Sequence, residues 1–202
     1  MEYLVDMTTQ VPARTSPETV DDMRARESKR AAELAAAGHL LRLWRPPLAP
    51  GQWRTFGLFA AQDAVQLEMV LASMPLRIWR TDLVTPLTPH PNDPHGTRGC
   101  APTEFLTWMN ITVPAGTPSL RVGELKDREA VRARELAGEG HLLRLWRPPT
   151  RPDQWRTLGL WSARDDADLS ATMKSLPLHG WMDLESIPLS VHPNDPAQED
   201  RA

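Results

Sequence analysis

Two glutamates interrupt apolar stripes in this chain. With about 100° between successive residues of a helix, Val20, Met23, Ala31 and Leu34 share one face, and Glu27 projects from the middle of it. At an offset of 102 residues, Val122, Leu125, Ala133 and Leu136 form the same stripe around Glu129. A carboxylate turned toward a core loses hydration, which raises its pKa toward the range useful for proton transfer, while a nearby guanidinium opposes that shift. Both glutamates are therefore candidate catalytic bases. The same placement also suits a structural ion pair, with Arg42 or Arg45 beside Glu27 and Arg144 or Arg147 beside Glu129.

The arginines carry their own ambiguity. Arg42 and Arg45 fall on opposite faces of a strand with period 2, as do Arg144 and Arg147, so at most one of each pair shares a pocket with its glutamate. A guanidinium in a partly dry pocket can hold a substrate carboxylate by two parallel hydrogen bonds, or it can satisfy the glutamate or a backbone carbonyl. Trp44, Trp53, Trp79, Trp146, Trp155 and Trp181 read first as core and sheet residues, and two or three of them could line a flat ligand. Gln52 and Gln154, each next to a tryptophan, can donate neutral hydrogen bonds. His90 and His192 lie among turn formers in HPND segments and His39 and His141 open strands, so all four read as turn or solvated residues before acids. No pair has metal-ligand spacing, and no phosphate loop, GxSxG or cysteine nucleophile with a base is present, so neither metal nor cofactor is expected.

Those residues recur because the chain repeats itself. HLLRLWRPP begins at His39 and again at His141, and the same offset aligns QWRT at 52 and 154 and HPNDP at 90 and 192 without a gap. A period near 100 residues is too long for a solenoid and indicates domain duplication, with repeats over 1–96 and 103–198 and a linker over 97–102. Each repeat changes period in the order strand, helix, strand, strand, helix, strand. EYLVDM and TEFLTWMNI are rich in strand formers. Ser16 before Pro17 starts the first helix and Gly38 stops it. HLLRLWRPP and QWRTFGLF then read as a hairpin, and Asp63 caps a helix over AVQLEMVLASM that ends before Pro75. A strand around IWRTDLV closes the repeat. This is the α+β, ferredoxin-like βαββαβ arrangement, an antiparallel sheet with both helices on one face. Two such sheets leave apolar faces that would bury each other, so the expectation is an intramolecular dimeric α/β barrel, a pseudo-dimer made permanent by fusion.

Composition excludes several classes. A 41% hydrophobic, 24% charged chain without an apolar run of membrane-spanning length reads as a globular protein with no membrane partner. A net charge of -3 with mixed signs throughout gives no basic track for nucleic acid. MEYLVDMTTQ lacks a basic region leading into an apolar one, and Cys100 is the only cysteine, an exposed linker thiol by its polar surroundings, so a cytoplasmic product is expected.

Taken together, each repeat resembles muconolactone delta-isomerase, a small cofactor-free enzyme family of aromatic catabolism. The resemblance rests on Met7 and Thr8, Glu27, Gly38, the run Leu43, Trp44 and Arg45, Pro75 and Leu76, and His90 with Pro91. The second repeat adds LPL at 176, MDLE at 182, and His192 with Pro193. It implies a ferredoxin-like fold, assembly of pseudo-dimers into a homo-oligomer, and a 1,3-proton shift in an unsaturated lactone through a dienolate. In that chemistry Glu27 and Glu129 serve as bases and Arg45 and Arg147 hold a carboxylate or the developing oxyanion. Where the family pattern has histidine and tyrosine shortly after LWR, this chain has Gln52 and Trp53, and Gln154 and Trp155. That departure admits a different small-molecule substrate, a cyclase or cofactor-free oxygenase of secondary metabolism, or a non-catalytic ligand-binding protein.

Overall fold

The computed structural model describes residues 1–96, 99–151 and 154–197. Part of the expected linker, 97–98, and the end of the second repeat at 198 lie outside the described residues. Each repeat forms the expected elements. In the first they are β1 (Glu2–Thr9), α1 (Pro17–Ala36), β2 (Leu40–Arg45), β3 (Trp53–Ala60), α2 (Ala64–Ala72) and β4 (Arg80–Pro89). In the second they are β5 (Thr103–Ile111), α3 (Ser119–Gly138), β6 (Leu142–Arg147), β7 (Trp155–Ala163), α4 (Asp166–Lys174) and β8 (Met182–Val191).

Local chemistry sets the boundaries of α1. The hydroxyl of Ser16 accepts a hydrogen bond from the Thr19 amide at 3.2 Å, and Pro17 occupies the first helical position. At the other end Gly38 adopts φ 74°, so that its N–H reaches Ala35 O and the His39 N–H reaches Leu34 O. This paired closure needs the left-handed backbone that glycine supplies without strain. Asp63 and Asp165 cap α2 and α4 through the amides of Gln66 and Asp168. The last strand differs from its expected start. Ile78 and Trp79 belong to a 3-10 turn over Pro75–Trp79, and β4 begins only at Arg80. Pro75 cannot continue α2, and the tight turn it opens frees the Leu76 amide for a side-chain acceptor.

The compact units exchange the ends of the repeats. One unit comprises Met1–Leu87 with Ser190–Ala202, and the second comprises Thr88–Leu189. Within the first, β1 pairs antiparallel with β3 and with residues 80–87 of β4, β2 pairs with β3, and Trp44 and Arg45 pair with Val191 and Ser190. Within the second, β5 pairs with β7 and with residues 182–189 of β8, β6 pairs with β7, and Arg147 and Trp146 pair with Thr88 and Pro89.

Each unit has a core between sheet and helices. In the first, Val5, Met7 and Phe59 of the sheet meet Ala31 and Leu34 of α1 and Leu67 and Leu71 of α2. In the second, Phe105, Met109 and Trp161 meet Ala133, Leu136 and Leu169. The opposite sheet face of the first unit carries Leu4, Trp44, Phe56 and Leu58, all buried as well. A register shift between Leu40 and Arg42, repeated between Leu142 and Arg144, is a β-bulge that turns both Leu40 and Leu43 toward the helical core. No helix among the described residues is long and apolar enough to cross a membrane.

Candidate active site

The stripe residues Met23, Ala31 and Leu34 are buried, and Glu27 is buried between them at 8% exposure. Its Oε2 accepts the Leu76 amide of the 3-10 turn at 2.8 Å, and its Oε1 accepts Arg80 Nη1 at 3.4 Å. Glu129, half-buried on α3, accepts the Leu178 amide at 2.9 Å. Burial raises the pKa of both carboxyls above the ordinary glutamate value. For Glu27 the Leu76 hydrogen bond and the Arg80 charge oppose the shift, and for Glu129 the Leu178 hydrogen bond does.

Each glutamate borders a cavity inside its own unit. The first cavity, about 660 Å³, brings Glu27 together with Arg45, Gln52, Trp53 and His192. The second, about 520 Å³, brings Glu129 together with Arg147, Gln154, Trp155 and His90. Volumes of this size suit a small organic molecule. The histidines are thereby exchanged along with the ends of the repeats: His192 lies with Glu27, and His90 with Glu129.

Both histidines keep their turn role. The Asn92 amide donates to His90 Nδ1 and the Asn194 amide to His192 Nδ1, each at 3.1 Å, which leaves the ring proton of the neutral form on Nε2. Burial depresses both pKa values to about 4, and the charge of Arg147 or Arg45 adds to the effect. At neutral pH these rings are uncharged hydrogen-bond donors. The wall tryptophans hold cations at the rim: Arg24 stacks over Trp53 at 4.3 Å and Lys126 over Trp155 at 4.5 Å. Gln52 turns its Oε1 back to the Ala49 amide at 3.2 Å, capping its own loop.

Four of the expected residues stand elsewhere. Arg42, Arg144, Trp44 and Trp146 line neither cavity. Arg42 Nε binds Asp195 at 3.2 Å and Arg144 binds Asp93, also at 3.2 Å, and each guanidinium stacks on its own tryptophan at 4.7 Å. Asp195 and Asp93 are wholly enclosed and also accept the amides of Leu43 and Leu145 at 2.9 Å. Of the arginines on each β2-type strand, Arg45 and Arg147 are the ones that share a cavity with a glutamate, as period 2 requires.

The ion-pair partner of Glu27 is neither Arg42 nor Arg45 but Arg80, which sequence reasoning missed. Arg80 and Asp82 alternate along β4, and the matching positions in the second repeat are Met182 and Leu184. That mismatch between otherwise matched repeats is the signal that could have found them. Cys100 is exposed as expected, with its Sγ 3.3 Å from His141 Nδ1. Among the described residues no three histidine, cysteine, aspartate or glutamate side chains cluster as a metal site would require.

Comparison with known proteins follows the repeat. The family model described as Muconolactone delta-isomerase matches residues 1–93 and again 103–195. The muconolactone delta-isomerase of Cupriavidus pinatubonensis (strain JMP 134 / LMG 1197) is 30% identical over 92 residues, 46% of this chain and 97% of that protein. Muconolactone delta-isomerase 1 of Acinetobacter lwoffii is 27% identical over 92 residues, 46% of this chain and 93% of its own length. Each relative thus has the length of one repeat. Over the whole chain the fold is similar to that of a chlorite dismutase from Candidatus Nitrospira defluvii, with a TM-score of 0.62, 12% identity, and coverage of 96% of this chain and 92% of that one.

Proposed function

We propose that this chain, which belongs to the muconolactone delta-isomerase family, is a cofactor-independent isomerase that shifts a proton within an unsaturated lactone or a related enolisable metabolite. The observation that carries this reading is a desolvated glutamate on the wall of a cavity, present in both units. The carboxylate breaks the γ C–H bond and takes the proton, leaving a dienolate. The resulting carboxylic acid returns that proton to the α-carbon, so the double bond moves and nothing is gained or lost. Burial favours this cycle because it brings the acid and carboxylate forms closer in free energy.

Negative charge develops on the lactone oxygen during the shift. The neutral histidine and the arginine that line each cavity with the glutamate are the donors suited to meet it. A substrate carboxylate, where present, suits Arg45 or Arg147. With Gln and Trp in place of the family's His and Tyr, binding in this chain relies on neutral amide and aromatic surface near the rim, which favours a flat, weakly polar ring.

The test is ultraviolet monitoring of muconolactone and related butenolides with the native chain and a Glu27→Gln, Glu129→Gln double variant. We expect turnover by the native chain and a loss of about 10²–10⁴-fold in the double variant, with the fold retained. Full activity in the folded double variant removes these residues from the mechanism.

A further inference from the structure

The two cavities differ where the closing strand of each repeat enters. In the first, Arg80 and Asp82 face each other through two hydrogen bonds, Nε to Oδ1 at 2.7 Å and Nη2 to Oδ2 at 3.0 Å, and Arg77 Nη1 lies 3.3 Å from Asp82. Arg80 also reaches Glu27, so this buried guanidinium is shared between two carboxylates, Asp82 and Glu27, while Arg77 divides its own hold between Asp82 and the exposed Glu68. In the second, Met182 and Leu184 replace Arg80 and Asp82, and among the described residues the Glu129 carboxylate has one hydrogen-bond partner, the Leu178 amide. Met182 and Ile111 line this cavity where Arg80 and Thr9 line the first.

A proton shuttle needs both protonation states of its base within reach. Protonating Glu27 removes one of the two carboxylates that hold the buried Arg80 guanidinium. Protonating Glu129 disturbs no ion pair, and its apolar neighbours favour the neutral acid. A second difference points the same way. Trp161, 2% exposed, lines the second cavity, and its indole N–H is buried without a hydrogen-bond partner among the described residues. The matching Phe59 has no donor and is not part of the first cavity's wall. An unpartnered donor beside a cavity is a place for a ligand's acceptor.

We propose that the repeats have divided the work: the second cavity carries the proton shift with Glu129 as its base, and in the first Arg80 and Asp82 hold Glu27 as a structural anion. This assignment rests on the isomerase reading above. Arg80 and Asp82 act through Glu27 and are positioning residues, as are Met182 and Leu184 toward Glu129.

Exchanging these residues between repeats tests it. Met182→Arg with Leu184→Asp, assayed on muconolactone, is expected to lower kcat by about a hundredfold or more and to move the acid limb of the pH–rate profile to lower pH. The reciprocal Arg80→Met with Asp82→Leu is expected to move the titration of Glu27 to higher pH, toward that of Glu129. In the native chain carrying ¹³C-carboxyl glutamate, the Glu129 signal, assigned by its absence in Glu129→Gln, is expected to titrate at higher pH than that of Glu27. Equal titration of the two, or native kcat in the Met182→Arg, Leu184→Asp variant, overturns the division of labour. The carboxyl titration needs no substrate, so if no butenolide turns over, which sinks the isomerase reading, it still decides whether Arg80 and Asp82 hold Glu27 as an anion while Glu129 is left free to protonate.

Discussion

Arg80 and Asp82 grip each other side by side on β4 with almost no solvent contact, their side chains 3% and 2% exposed. Charges this deeply placed are stable only as a set. Removing one member strands the others, whereas replacing the set with apolar groups of similar volume costs little. Arg80→Met should therefore lower stability by about 3–5 kcal/mol, and Arg80→Met with Asp82→Leu should recover most of that loss. Urea denaturation of the two variants beside the native chain checks this. A single variant as stable as the native chain would show that the cluster contributes nothing.

The enclosed aspartates at the ends of the repeats should be equally sensitive. Asp93 accepts the Leu145 amide and the Arg144 guanidinium, and Asp195 accepts Leu43 and Arg42 in the same way. Asp93→Ala should cost about 3–5 kcal/mol, with melting lowered by about 2–4 °C for each kcal/mol. Because the His90 amide donates to Leu145 O beside this clamp, the same variant should loosen His90 and raise KM for a lactone substrate. Calorimetry and steady-state kinetics on one preparation measure both effects.

The histidines give stability a pH dependence of known sign. Their folded values, about 4, lie below the ordinary 6.5, so the folded chain binds fewer protons than the unfolded chain between those limits. Their contribution is complete above pH 6.5 and is lost as pH falls toward 4. The raised glutamates act in the opposite sense, favouring the folded state below their own values. A His90→Gln, His192→Gln variant should flatten the fall in melting temperature between pH 6.5 and 4, as scanning calorimetry across that range would register.

Activity should depend on pH through the base. A glutamate raised above 4.5 must be ionised to accept the substrate proton, so kcat/KM should drop as pH falls through a value above 4.5, before the histidines charge. A pH–rate profile flat from 7 down to 4 would be incompatible with Glu129 or Glu27 as the base.

Much of the fold was legible because repeated residues state their roles twice. Ser16 with Pro17, Gly38, Asp63 and the paired HLLRLWRPP strands all did what their local chemistry dictates. The inward placement of Glu27 and Glu129 followed from helical periodicity alone. What the pattern hid was nonlocal. The bulge at Leu41 alters strand faces without marking the sequence. The fate of Arg42 depends on Asp195, 153 residues away. The Arg80–Asp82 pair shows in the sequence only as a difference between repeats otherwise alike.

The crossed-over HPND segments bind the history of the two repeats together. Each glutamate sits with a histidine encoded in the opposite copy, so a gene that dropped either copy would strip the survivor's pocket of that ring. Drift in one half can relax its chemistry, as at Arg80 and Met182, yet that half must still supply His90 or His192 to its sister. A chain reduced to one copy would regain that ring only from a second molecule of itself, so the two halves stay bound to each other whether or not both pockets turn over substrate.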